Sequence, residues 1–119
     1  MTSAPEPSSD IDDDEAGEPE ILVVVPLSDH HMGTRAEQAR IQRFADELAA
    51  AVTAAEAGDF EGDELGGGEY VLFFCGPDQQ QLVGILRPLL RRDAIGRTAH
   101  LARLVRGADG EPQREPMQP

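Results

Sequence analysis

Two short apolar runs constrain this chain more than any other feature: Ile21–Val25 (I-L-V-V-V) and Tyr70–Cys75 (Y-V-L-F-F-C). Each has the length of a strand, is rich in β-branched or aromatic residues, and contains no charged residue. An alternating strand can leave one face in water, but a continuously apolar one cannot. Both runs are therefore predicted to be central strands of a sheet covered on both faces. With 119 residues, 39% of them hydrophobic and none of them Trp, the chain has material for one small domain. Neither run approaches the roughly 20 residues that a membrane-spanning helix needs. The acidic start has no basic residue and no apolar segment, so it does not read as a secretory signal. The single cysteine, Cys75, rules out a disulfide within the chain and a multi-cysteine zinc knuckle, and the expected compartment is the cytoplasm.

Charge is distributed unevenly. The ten basic residues, all Arg, face 23 acids, for a formal net charge of −13. That balance argues against a general nucleic-acid binder, which needs a cationic surface to meet phosphates. Eight of the acids lie within residues 1–20, together with three prolines and no base. Such a segment cannot bury enough apolar surface to offset its ordering entropy, so residues 1–19 are expected to be a disordered acidic tail. Residues 107–119, with Pro112, Pro116 and Pro119, are expected to be a second disordered tail. The folded domain is then 20–106.

Within it, Glu20–Leu27 reads as the first strand and Ser28–Gly33 as a polar loop. Thr34 and Glu37 form a T-x-x-E capping box. Ile41, Phe44, Leu48, Val52 and Ala55 then recur at helical spacing, which predicts a helix to about Ala57 with Gly58 as its C-cap. Asp59–Leu65 and Tyr70–Cys75 flank Gly66–Gly68 and read as a hairpin. Gly76-Pro77-Asp78 breaks the strand and caps a second helix, in which Pro88 predicts a kink or break near Arg87. Gly96 ends that helix. Thr98–Arg106 alternates as a strand, although the same residues also permit a helix.

The order β-α-β-β-α-β is the ferredoxin-like arrangement, an α+β sandwich of two helices on an antiparallel four-stranded sheet. The first and third strands are expected side by side at the centre and parallel, with the acidic second strand at an edge. That placement would gather Asp29, His30, His31, Cys75, Asp78 and His100 on one rim. His30, His31 and Cys75 there make a candidate metal set, or a Cys–His pair for nucleophilic catalysis. Each of these residues also has an ordinary structural role. Adjacent histidines point apart, Cys75 is a small buried hydrophobe, and Asp78 is an N-cap.

Two other motifs fail on inspection. The acids of 59–69 resemble a calcium loop, but its sixth position would be Glu64 rather than Gly. Gly66–Gly68 has no following Lys to make a phosphate loop, and no cofactor is expected. Charge separation is the stronger signal. Residues 56–69 carry six acids and no base, while residues 87–106 carry six Arg against Asp93 alone. These are two solvated faces with some mutual pairing, or a bipolar docking surface. Arg103 and Arg106 on one strand would also suit a small anion.

Residues 58–78 (G-D-F-E-G-D-E-L-G-G-G-E-Y-V-L-F-F-C-G-P-D), followed by Pro88-Leu89-Leu90, resemble a loose group of small, uncharacterised bacterial proteins of ferredoxin-like fold. The shared pattern falls on Gly58, Phe60, Glu61, Gly62, Glu64, Gly76, Pro77 and Asp78. The resemblance implies the fold and no activity. Small size and acidity also give a distant likeness to immunity proteins that neutralise bacterial toxins. The reading is a non-enzymatic interaction module that binds a basic protein partner through Asp59, Glu61, Asp63, Glu64 and Glu69. The alternatives are a metal protein or enzyme built on His30, His31 and Cys75, and a ligand-binding regulatory dimer. Neither nucleic acid nor membrane is an expected partner. A homodimer is expected, with a second copy covering the sheet face that the helices leave open.

Overall fold

The computed structural model describes residues 20–29, 31–107 and 109–117. The acidic segment 1–19 lies outside the described residues. In chain order the elements are β1 (Glu20–Pro26), α1 (Arg35–Ala54), β2 (Asp59–Gly66), β3 (Glu69–Cys75), α2 (Gln79–Arg92), β4 (His100–Arg106) and β5 (Pro112–Pro116). A 3-10 turn, Gly96–Thr98, precedes β4. The strands form one sheet in the order β2-β3-β1-β4-β5, and every neighbouring pair is antiparallel. The architecture is therefore α+β, two helices on a five-stranded antiparallel sheet.

Two expectations are corrected by this topology. First, β1 and β3 are neighbours but antiparallel, with Glu20 opposite Cys75 and Pro26 opposite Glu69. The crossover through α1 makes β2 run the same way as β1, and the hairpin then reverses the chain into β3. Second, residues 107–119 are not a disordered tail throughout. Pro112–Pro116 pairs with Arg106–Ala102 as β5. All five of its residues are exposed, so hydrogen bonding to β4, rather than apolar burial, holds it. The two prolines sit at the ends of an outer strand, where a missing N–H disrupts least. The strand expected over Thr98–Arg106 is present from His100 onward, with Leu101 and Ala102 buried, while Thr98 belongs to the 3-10 turn.

Local chemistry accounts for the helices. Thr34 Oγ1 accepts from Glu37 N–H at 3.0 Å. The reciprocal half of the capping box is absent, because the Glu37 carboxylate takes the Ser28 N–H and hydroxyl instead, at 3.0 and 2.9 Å. This ties the β1–α1 loop to the first turn of α1. Asp78 caps α2 through Gln81 N–H at 3.2 Å. α2 continues through Pro88 without a break. Gly84, whose carbonyl loses its partner to that proline, is exposed along with Pro88, so water can satisfy the orphaned acceptor.

Both helices pack on one face of the sheet. Ile21, Val23, Val25, Leu72 and Phe74 meet Ile41, Phe44 and Leu48 of α1 and Leu82 and Leu86 of α2. A second cluster, Leu22, Val24, Val71 and Ala102, lies on the outer face. It is 0–3% exposed within the single chain. Met32 is the exposed large hydrophobic residue among those described. Phe73 and Leu104 on the same outer face are partly buried against this cluster. An ion pair brackets this cluster: Arg114 of β5 reaches Glu69 of β3 at 2.8 Å. The pair passes over β1 and β4, which lie between those strands.

Gly58 is a correction as well. α1 ends at Ala54 with Ala55 as its cap, and Gly58 lies beyond it in a close crossing of two chain segments. A Cβ on Gly58, at φ +154°, would stand 1.9 Å from the Cys75 carbonyl oxygen. Gly76 faces it, where a Cβ would meet the Ala57 oxygen at 2.2 Å. Gly58→Ala is expected to cost at least about 2 kcal/mol of stability or to prevent folding. Gly84→Ala, with open space around its Cβ, is expected to stabilise by about 0.5–1 kcal/mol. Urea denaturation of the two variants measures both, and equal effects would contradict the crossing.

Candidate functional site

The acidic hairpin strand β2 lies at the edge of the sheet, paired on one side by β3 only. Its turn is made by Gly67 and Gly68 at φ +62° and +82°, a conformation that glycine adopts without strain. The turn is fastened to the loop after β1: Leu27 N–H bonds the Gly68 carbonyl at 2.9 Å, and Gly68 N–H bonds the His31 carbonyl at 3.1 Å. The strand is thus held in place at its far end. Its register shifts between Phe60 and Gly62, a bulge that leaves Glu61 without a partner residue in β3.

The five acids expected to act together do not form one cluster. Asp59, Glu61, Asp63 and Glu64 are all exposed on β2. Phe60 and Leu65 turn inward to the helix-side core, and Phe60 packs on Phe74 with ring centroids 5.1 Å apart. Asp63 lies on the helix side, where its carboxylate accepts from the Tyr70 hydroxyl at 2.9 Å. Gln42 of α1 donates to the same hydroxyl at 3.1 Å. Desolvation and the Asp63 contact raise the Tyr70 phenol above its ordinary range, partly offset by Gln42. Glu69 belongs to β3 and is engaged by Arg114.

A residue that sequence reasoning assigned to the strand start completes the patch instead. Glu20 faces Cys75 across the β1–β3 ladder, and Asp59 faces Cys75 from the other side. Glu20 is therefore brought to the bulge, where its side chain hydrogen-bonds that of Glu61. Glu20, Glu61, Glu64 and Phe73 border a shallow depression of about 290 Å³. Burial first, and then the hydrogen bond and repulsion from Glu61, hold the Glu20 carboxyl above its ordinary pKa. Only a correct strand direction reveals this pairing. Among the described residues no ion pair involves a β2 acid; the pairs are Arg103–Glu115 and Arg114–Glu69.

The rim proposed for metal or catalysis is divided. Because β3 is antiparallel to β1, Cys75 sits beside Glu20, whereas His31 follows the opposite end of β1. Six strand steps separate those ends, about 20 Å. Cys75 is buried, His31 is exposed, and His30 lies outside the described residues. Among the described residues no group of three or more His, Cys, Asp or Glu side chains is positioned to hold a metal ion. Asp29 instead folds its own loop, accepting from His31 N–H at 2.8 Å and Gly33 N–H at 3.0 Å. Those bonds lower its pKa, chiefly the one from His31. Asp78 is the α2 cap described above, and His100 opens β4 opposite Val24.

The anion site suggested for Arg103 and Arg106 is not formed either. Odd and even positions of a strand face opposite ways. Arg103 pairs with Glu115, and Arg106 donates to the Gly110 carbonyl at 2.6 Å. Among the described residues no helix is long and apolar enough to cross a membrane. Comparison with protein-family models, with curated proteins and with solved structures finds no match.

The Glu20–Glu61 pair has a definite pH signature. A carboxyl with a raised folded-state pKa binds its proton more tightly when folded. Its contribution to stability is full below the unfolded value and is lost as pH rises through the folded one. Glu20→Gln is therefore expected to raise the urea midpoint relative to the parent at pH 7. The advantage should shrink as pH falls below the ordinary value of 4.5. An advantage independent of pH would show that the Glu20 carboxyl is not held above its ordinary pKa.

Proposed function

We propose that the chain is a non-enzymatic protein-interaction module of ferredoxin-like topology, and that a basic protein partner docks on the β2 edge. The order β2-β3-β1-β4, all antiparallel, supports that topology, with β5 as an addition beside β4. One observation carries the docking reading: an outer strand with a free backbone edge bears Asp59, Glu61, Asp63 and Glu64, unpaired with any described cation, and Glu20 is crowded against them. Like charges held this close lower stability, and a cationic partner would relieve the repulsion. The carboxylates also discourage two β2 edges from pairing with each other, so the edge selects for an opposite charge. A lysine- or arginine-rich extended segment fits both features, its backbone pairing with β2 and its side chains meeting the acids.

An immunity-like inhibitor of a basic toxin is the narrower form of this reading, and it rests on size and acidity. The cytoplasm suits such an acidic chain with a single buried cysteine. The divided His/Cys rim gives the metal alternative no comparable support.

A lysine-rich extended peptide is the test probe. Binding to the full chain is expected to saturate, to weaken steeply with salt, and to perturb the amides of 59–66 by NMR. Glu61→Arg with Glu64→Arg is expected to reduce affinity at least tenfold while leaving the far-UV spectrum unchanged. Undiminished binding by that variant, or perturbation centred elsewhere, would reject the β2 edge as the docking surface.

A further inference from the structure

The arginine-rich stretch that begins in the last turns of α2 lines a cavity that the acidic edge does not involve. It measures about 290 Å³ and lies between the last turns of α2, the Gly96–Thr98 turn and the start of β4. Arg87, Arg91 and Arg97 line it together with Leu90, Leu101 and Met117. The apolar members are the floor, since Leu90 and Leu101 belong to the helix-side core and Met117 packs against it.

The wall bearing Arg97 is built rigidly. Asp93 Oδ1 accepts from Ile95 N–H at 2.8 Å. Arg97 N–H bonds the Asp93 carbonyl at 2.9 Å, and the Thr98 hydroxyl bonds the Ile95 carbonyl at 2.7 Å. Gly96 is pressed so closely on α2 that a Cβ there would stand 2.4 Å from the Leu90 oxygen. The opposite wall is supplied by the β4–β5 hairpin, through Met117 N–H to the Leu101 carbonyl at 3.0 Å. Arg91 and Arg97 are exposed and make no ion pair among the described residues. The negative end of the α2 dipole accounts for Arg91 and Arg92 in its last turn. It does not account for Arg97, which lies beyond the helix and faces the same cavity.

The geometry points to a binding site for a small amphiphilic carboxylate. The guanidinium forks of Arg91 and Arg97 would hold the carboxylate, and an aliphatic or aromatic body would lie on Leu90, Leu101 and Met117. Arginine suits a planar, two-oxygen anion. The volume falls near the lower bound of about 300 Å³ for drug-sized ligand sites, so the ligand is a fragment-sized acid rather than a nucleotide. A helix N-terminus, the usual cradle of a phosphate, is missing, because α2 presents its C-terminus here.

Octanoate is the probe, with octan-1-ol and octylamine as matched neutral and cationic controls. Calorimetry and amide NMR on the full chain read affinity and location together. Octanoate is expected to bind one-to-one and to shift the amides of Leu90, Arg97 and Leu101, whereas neither control saturates. Arg91→Gln with Arg97→Gln is expected to weaken octanoate at least tenfold with an unchanged far-UV spectrum, and Arg35→Gln on α1 is expected to change nothing. Equal binding of octan-1-ol, shifts centred elsewhere, undiminished binding by the double variant, or no saturable octanoate binding would overturn the proposal.

Discussion

The antiparallel pairing of β1 on both its edges is the interaction on which the rest of the molecule depends. β1 is bonded to β3 along its whole length and to β4 over Ile21–Val24. Its side chains enter the helix-side core and the outer-face cluster alternately. A strand with Ile21, Leu22, Val23, Val24 and Val25 in succession has no polar face to give to water. Placing it at the centre buries all five residues to 2% exposure or less. The edges then fall to β2 and β5, both largely exposed and polar, which is the arrangement that limits uncontrolled strand pairing.

That same pairing sorts the charged side chains. Directions along β1, β3 and β2 bring Glu20 beside the Glu61 bulge and separate Cys75 from the histidine loop. Directions along β4 and β5 bring Arg103 to Glu115 and send Arg114 across to Glu69. The acidic and arginine-rich stretches therefore do not neutralise each other through salt bridges between the described residues of 56–69 and 87–106. The acids stand along one edge of the sheet, while Arg87, Arg91 and Arg97 surround a cavity at the end of α2. An acidic edge and a cationic, apolar-floored pocket on one small domain make different chemical demands on what binds them. They share no residue, so the two proposed sites lie on separate surfaces.

Much of the local structure was legible in the residues. The Thr34 cap, the Asp78 cap, the glycine turn at 67–68 and the alternation of β4 all depend on neighbours close in sequence. Each therefore leaves a short-range signature. Gly58 shows where such reading stops. Its position after a helix suggested a C-cap, yet its need for the absence of a Cβ comes from Cys75, seventeen positions along the chain. β5 was illegible for the opposite reason: five exposed residues, two of them prolines, carry no apolar pattern, and only the exposed edge of β4 gives them a partner.

By itself the amino-acid sequence determined that β1 and β3 must be interior, that β2 must be acidic and peripheral, and where both helices begin. Those outcomes follow from the solvation of side chains and from hydrogen bonds made within a turn. Only the tertiary structure decided which way β3 runs beside β1, and so which titratable groups meet. Reversing that one strand would carry Cys75 toward the histidine loop and away from Glu20. Both directions bury the same apolar run equally well, so hydrophobic pattern cannot choose between them. The choice is made by the crossover of α1 and the tight turn at Gly67–Gly68, which together set the sense of the hairpin.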